Sequence, residues 1–260
     1  MCAHMHIKPV AAMLEVLLSP GRTAALMRVA GHRICAPLLL AVSASQGQPP
    51  SPEMSAVSRA DLCVTEGALE ERHAPLLAVT VPKMRAYLNR PSADAAELSF
   101  TYLGSTDVEA RLGSGASRRQ LGIKLRAANA CNLIYVMWRI EPESKLVVSV
   151  KANPGQHSSA ECANRGYHNL KPTFSSAIPH LQAGQAHRLL ALIRSQELSA
   201  YVDGARVWHG SLGADAADFT GPVGVRTDNA RVEFTLSTEA QAAGIAHTAP
   251  RCRSGPDESE

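Results

Sequence analysis

Four cationic side chains and two aromatic ones are the residues best equipped for recognition chemistry: Lys124, Arg126, Arg139 and Arg226, with Tyr135 and Trp208. Arginine and lysine bring charge and hydrogen-bond donors, tyrosine brings a ring with a hydroxyl, and tryptophan brings a flat apolar platform. Together with Gln120 they suit the holding of a hydroxyl-rich ligand. Arg139 interrupts the otherwise apolar run 133–140 (LIYVMWRI), and a buried guanidinium needs acceptors, either from a ligand or from an internal acid or carbonyl. Trp208, at a hairpin end beside His209, is the candidate stacking platform. Tyr167 and His168, in a loop over residues 153–171, are candidate rim residues.

Bond-breaking chemistry has a poorer basis. Glycoside hydrolysis needs two carboxylates about 5–9.5 Å apart across the scissile bond. Glu141 and Glu143 are spaced by two, but Pro142 between them reads as a solvated turn. There is no G-x-S-x-G, no H-E-x-x-H and no Gly-rich phosphate loop. No catalytic residue is therefore assigned. Asp203, Asp215, Asp218 and Asp228 are the conceivable calcium ligands, yet turn chemistry accounts for each of them. No metal or cofactor is expected.

The elements that must carry these residues are strands. Residues 119–126 (RQLGIKLR) alternate, with Leu121, Ile123 and Leu125 on one side and Gln120, Gly122, Lys124 and Arg126 on the other. In 133–140, Tyr135, Met137 and Arg139 share one side, while Ile134, Val136, Trp138 and Ile140 share the other; apolar on both faces, this run reads as a central strand. Residues 187–210 (HRLLALIRSQELSAYVDGARVWHG) read as three consecutive antiparallel strands, because Asp203-Gly204 supplies the positive φ angles of a type I′ turn. Further runs at 76–81, 84–88, 98–103, 146–150, 221–225 and 230–236 give about ten to twelve short strands with turn signals every 8–12 residues. The fold class is all-β, a two-sheet antiparallel β-sandwich.

The chain has 260 residues, and no apolar run approaches the roughly 18 residues of a spanning helix, so an integral membrane protein is not expected. Residues 1–44 hold Lys8, Arg22, Arg28 and Arg33 against Glu15, which leaves 22 basic and 22 acidic residues from position 45 onward. A domain without charge excess has no electrostatic footprint for nucleic acid. From Met27 the sequence reads as a signal peptide: a basic start, an apolar stretch over 34–42, and the small-residue site Val42-Ser43-Ala44. Met27 is thus the expected start of the exported chain; the alternative is a short helix over 10–18 and no cleavage. Residues 45–60, rich in Ser, Pro and Gln, read as a flexible linker, 61–237 as the sandwich domain, and 238–260 as a loosely ordered tail.

Cysteine usage agrees with export to the medium, the periplasm or the cell surface. Beyond the presequence lie Cys63, Cys131, Cys162 and Cys252, an even number that permits three connectivities and contains no C-x-x-C pair. Cys131–Cys162 is favoured because it ties a strand start to the long loop, and Cys63–Cys252 would then clip the domain ends. Each would stabilise by roughly 3–5 kcal/mol on the chain-entropy model. Buried free thiols are the alternative.

Three stretches carry a resemblance: residues 187–193, Tyr-Val-Asp-Gly at 201–204 with Val207-Trp208 after it, and GPVGVRTDNARVEF at 221–234. In these the chain resembles the concanavalin A-like lectin/glucanase superfamily, in particular its bacterial laminin-G-like and 3-keto-disaccharide-hydrolase-like branches, over roughly residues 76–237. The resemblance implies a jelly roll whose concave face meets carbohydrate, with the third stretch as the closing strand pair. With the export read from the presequence and cysteines, it implies a secreted lectin-like module, with a carbohydrate or cell-surface glycan as partner. The E-x-D-x-x-E strand motif of the superfamily's glucanases is absent, which favours binding or adhesion over catalysis. A glycan or disaccharide hydrolase on the same scaffold and a structural module contacting protein are the alternatives. Eleven aromatic residues in the whole chain are few for a sugar binder.

Overall fold

The computed structural model describes residues 53–92, 94–239 and Cys252. The expected signal peptide, and the tail beyond Glu239 apart from Cys252, lie outside the described residues.

Alternation of apolar and polar residues is realised as sixteen strands. In chain order they are β1 (Met54–Ala56), β2 (Leu62–Glu66), β3 (Glu70–His73), β4 (Leu76–Val79), β5 (Lys83–Leu88), β6 (Ala95–Ser105), β7 (Arg119–Leu125) and β8 (Leu133–Glu141). They continue as β9 (Lys145–Lys151), β10 (Tyr167–Asn169), β11 (Phe174–Ser175), β12 (Ala186–Arg194), β13 (Glu197–Val202), β14 (Ala205–Ser211), β15 (Gly224–Asp228) and β16 (Ala230–Glu239). A nine-stranded sheet has the order β11-β14-β13-β12-β6-β16-β4-β3, with β1 also on β16. A seven-stranded sheet has the order β10-β9-β8-β7-β15-β5-β2. Every pairing is antiparallel.

The two sheets stack as the expected sandwich, and the crossings between them make it a jelly roll. The chain changes sheet at β1–β2, β2–β3, β4–β5, β5–β6, β6–β7, β10–β11, β14–β15 and β15–β16, so the last two strands insert beside strands from the start of the domain. Inward side chains fill the interior: Leu121, Ile123 and Leu125 of β7, Ile134, Val136 and Trp138 of β8, and Leu98, Leu189, Phe234 and Leu236 opposite them are all fully buried. Trp138 meets Phe100 edge-on across the sandwich, ring centroids 5.6 Å apart. Among the described residues no helix is long and apolar enough to cross a membrane.

The Asp203-Gly204 turn has both residues at positive φ (50° and 85°), which closes the β13–β14 hairpin as its sequence demands. Two elements differ from expectation. Residues 221–234 do not form a mutually paired closing pair: β15 pairs with β5 and β7, β16 with β6 and β4, and Asn229 alone (φ 52°) turns the chain from one sheet into the other. Met54–Ala56, within the stretch read as linker, is strand β1, since the free edge of β16 near Ser237–Glu239 offers it a ladder.

Disulfides join Cys131 to Cys162 and Cys63 to Cys252. The first fastens the long loop after β9. Asn132 and Asn153 complete the fastening: Asn153 N–H donates to Asn132 Oδ1, Asn132 Nδ2 to the Gln156 carbonyl, and Asn153 Nδ2 to the Cys131 and Arg165 carbonyls. A segment that would otherwise be a long irregular loop is thereby held at one end of the seven-stranded sheet.

Candidate functional site

Because inward and outward positions alternate, the residues of β7, β8 and β15 that do not enter the core form rows on the outer face of the seven-stranded sheet. One row runs Asp228, Gln120, Arg139; the next Arg226, Gly122, Met137, Val147; the next Gly224, Lys124, Tyr135, Ser149, Asn169. Gly122 keeps the floor low at its centre, where a Cβ would come within 2.2 Å of the Val136 carbonyl oxygen and 2.9 Å of the Met137 sulfur.

Two loops raise walls on this floor. Residues 106–118 contribute Leu112, Ser114 and Arg118, and they are pinned by Asn229. The Ala110 N–H donates to Asn229 Oδ1 at 2.8 Å, and Asn229 Nδ2 donates to the carbonyls of Ala110 and Arg118 at 2.9 Å each. On the other side the disulfide-bound loop and β10 contribute Asn164, Tyr167, His168 and Asn169. Gly166 (φ 76°) makes the turn that aims Tyr167 inward, close against the Ala152 carbonyl. The resulting groove has a volume of about 290 Å³, near the lower end of the roughly 300–1,000 Å³ of small-ligand pockets.

An ion network lies under one side of the groove. Asp228 is fully buried; its Oδ1 accepts from Arg85 Nη2 at 2.6 Å, and its Oδ2 accepts from Gln120 Nε2 at 2.7 Å and Arg226 Nε at 2.9 Å. Burial alone would raise the carboxyl's pKa. The Arg226 and Arg85 guanidiniums outweigh that and, with the Gln120 hydrogen bond, hold it well below the usual carboxylate range. Arg85 also donates Nη1 to the Met84 and Thr227 carbonyls, and its Nε lies 3.7 Å from Glu66, whose own pKa burial pushes up against the pull of Arg85.

The aromatic part of the groove is a pair of tyrosines. Tyr135 and Tyr167 stack with centroids 6.0 Å apart and planes 24° apart. Arg226 lies 5.0 Å over the Tyr135 ring and Lys151 5.0 Å over that of Tyr167. Tyr167 keeps 37% of its surface exposed.

Of the residues singled out by sequence, Tyr135, Arg139 and Arg226 converge on the groove, with Gln120 and the rim residues Tyr167 and His168. Three others do not. Lys124 is on the same face beside Tyr135, but it is 4% exposed and lies where Ala127, Leu133, Tyr135 and Met137 form a small apolar cluster that closes that end. Arg126 follows the end of β7 at φ 46°, which turns it away. Its Nε donates to both Asp94 oxygens at 3.0 Å and its Nη1 to the Ala217 carbonyl at 3.1 Å, so it joins chain segments rather than binding a ligand. Trp208 is a core residue, 3% exposed. A β-bulge leaves Val207 unpaired between Arg206↔Tyr201 and Trp208↔Ala200, and the phase shift turns the indole inward.

Arg118, Asn164, Ser149 and Asn169 line the groove without having been expected there. Arg118 immediately precedes Arg119, whose guanidinium is held by Glu109 at 2.7 Å and Glu141 at 2.5 Å; of these two adjacent arginines, Arg118 is the one that faces the groove. Among the turn aspartates, Asp228 is taken by two arginines and Asp203 accepts from the Arg188 N–H at 2.8 Å and lies 2.7 Å from His187 Nδ1. Among the described residues no group of three or more His, Cys, Asp or Glu side chains could hold a metal ion.

One further polar cluster stands on the nine-stranded sheet. Ser199 Oγ is 2.9 Å from His209 Nδ1, and His209 Nε2 is 3.5 Å from Glu197. It has the members of a nucleophilic triad, but β13 is paired on both sides, so its backbone N–H groups are consumed by the ladders and none is left to stabilise an oxyanion.

No family model matches the chain, and no curated protein matches it. Solved structures do. A carbohydrate-binding module from Bacillus subtilis is 11% identical, with a TM-score of 0.46 over 67% of this chain and 91% of that one. A galectin of Caenorhabditis elegans is 11% identical, with a TM-score of 0.37 over 70% of this chain and 99% of that one. Domain 4 of an extracellular arabinanase from Geobacillus stearothermophilus, in complex with arabinotriose, is 11% identical, with a TM-score of 0.38 over 70% of this chain and 84% of that one.

Proposed function

We propose that the protein is an exported, disulfide-fastened carbohydrate-binding module that holds a segment of a glycan in the groove of the seven-stranded sheet without catalysis. The observation that carries this reading is convergence: Arg118, Gln120, Arg139, Asn164, His168 and Asn169 surround the Tyr135–Tyr167 pair in one cavity. A sugar presents hydroxyls around its edge and C–H groups on its faces, and donors ringed about an aromatic wall match that pattern. Two disulfides suit an oxidising compartment outside the cytosol, whether the medium, the periplasm or the cell surface.

Binding is favoured over glycoside hydrolysis by the lining itself. No Asp or Glu lines the groove among the described residues, and the carboxylate beneath it, Asp228, is buried and bound by two arginines. A pair of carboxylates flanking a bond has nowhere to stand.

The test is calorimetric titration with a panel of neutral and acidic oligosaccharides, on the wild type and on Tyr167→Ala. Binding weakened about 2–10-fold in the variant is expected, as for loss of one aromatic contact. Absence of binding to every glycan would end the reading, and so would full affinity in Tyr167→Ala. Release of reducing ends during the titration would replace it with the enzymatic alternative.

A further inference from the structure

We infer that the glycan taken by the groove is anionic, and that the Arg118 and Arg139 guanidiniums receive its carboxylate or sulfate groups. The inference rests on the reading that the groove binds a glycan, and adds the chemical class of that glycan.

The first support is the charge of the lining. Three arginines face the groove and no acidic side chain does, among the described residues. From position 45 onward the chain has equal numbers of basic and acidic residues, so this surplus is local to the groove.

The second support is how the arginines are used. Arg226 and Arg85 share Asp228, and Arg119 is held by Glu109 and Glu141. Arg118 and Arg139 have no such partner: neither side chain pairs with an acid or donates a hydrogen bond among the described residues. The Arg139 Nε is shielded from solvent with nothing to donate to. Burial, and then the neighbouring Arg118 cation, push the Arg139 pKa down against a weaker pull from Glu143. That glutamate is fully exposed and already engaged by Lys145 Nζ at 2.5 Å. Two cations thus lie together on a partly desolvated surface, an arrangement that is costly until an anion joins it.

The third support is the shape of the donor. A guanidinium presents parallel N–H groups that match the two oxygens of a carboxylate or sulfate, and such charge-assisted pairs are about twice as strong as neutral hydrogen bonds. A neutral sugar hydroxyl would leave part of each fork unused.

The experiment pairs acidic glycan fragments with neutral counterparts of the same backbone. Polygalacturonate, alginate and hyaluronan fragments are titrated against their carboxyl-reduced forms, and a sulfated galactan against its desulfated form, at low and high salt. The expected result is binding of an acidic member at least about tenfold tighter than its neutral counterpart and weakened by salt. Loss of about tenfold or more of that affinity is expected in both Arg139→Gln and Arg118→Gln. Arg118 sits on a loop, so Arg118→Gln with an unchanged melting temperature separates lost recognition from lost folding. Preference for the uronates identifies carboxylate as the anion, and preference for the sulfated galactan identifies sulfate; either supports the inference. Equal affinity for acidic and neutral partners, or undiminished acidic binding in both variants, overturns it while leaving the glycan groove in place. Binding of none of the fragments overturns both.

Discussion

The outer faces of the two sheets are built from the same alternation of residues, yet they treat their arginines differently. On the nine-stranded sheet Arg188 meets Glu97 at 2.5 Å, Arg194 meets Glu239 at 2.8 Å and Arg72 lies 3.5 Å from Glu233. On the seven-stranded sheet Arg118 and Arg139 face an open groove that no acid lines among the described residues, while the buried carboxylate of Asp228 is already shared by two other arginines. Paired charges complete a surface by themselves. Surplus donors in a concavity leave a requirement that only another molecule can fill. The difference separates a solvated wall of the sandwich from the face proposed for recognition, though residue composition alone would not distinguish them.

The largest effect is expected from unbalancing the ion network beneath the groove. Asp228→Asn should lower the free energy of unfolding by about 3–5 kcal/mol in a urea titration at neutral pH, because it leaves two guanidiniums buried without the carboxylate they share, Arg85 keeping only the more distant Glu66. The acid limb follows from the same residue. Its folded pKa lies below the unfolded value of about 3.9, so its contribution is complete above that pH and is lost as pH falls below it. Glu66 has the opposite sign: its folded pKa is raised, so protonation relieves rather than destabilises it on the way down. Urea titrations at descending pH should show stability falling below about pH 4 in the wild type, with that part of the fall absent in Asp228→Asn. An Asp228→Asn protein as stable as the wild type would mean the network is not what supports the groove.

Much of this face was legible in the sequence. Gln120, Tyr135, Met137 and Arg139 follow a period of two, and period two puts them on one face wherever their strands pair in register. The Asp203-Gly204 hairpin was legible for a similarly local reason, since few residue pairs adopt its φ angles. The failures came where one residue redirected the chain without a composition signal. A single unpaired Val207 sends Trp208 into the core, a positive φ at Arg126 swings its guanidinium to Asp94, and Asn229 carries β15 and β16 into different sheets. Arg118 and Asn164 were beyond reach for another reason. They come from loops far apart in the chain and meet only because Asn229 pins one loop and the Cys131–Cys162 bond holds the other.

The next effect in size tests that positioning. Replacing Cys131 and Cys162 together by serine should cost about 2–4 kcal/mol in unfolding free energy, and it should weaken glycan binding as Tyr167 and His168 lose their fixed wall. Removing Cys63 and Cys252 should cost stability of the same order yet leave affinity unchanged, because that bond joins the domain ends away from the groove. Denaturation and calorimetry on both variants give the two readouts. Equal loss of affinity in both would show that the long loop is not positioned by its own disulfide.

The smallest effect belongs to the matched face. Arg188→Ala removes a guanidinium that is 64% exposed and bound to Glu97, and such solvated pairs are worth about 0–1 kcal/mol. Stability should therefore change by no more than that, and affinity for acidic glycans should stay at the wild-type value. The loss of one positive charge is the same as in Arg118→Gln, so the two variants differ in location and not in net charge. If Arg188→Ala weakened acidic-glycan binding as much as Arg118→Gln did, the attraction would be a property of the whole molecule's field, and the contrast between the faces would carry no recognition. A large drop in Arg118→Gln beside none in Arg188→Ala would place the anion at the groove, where the guanidiniums lack partners of their own.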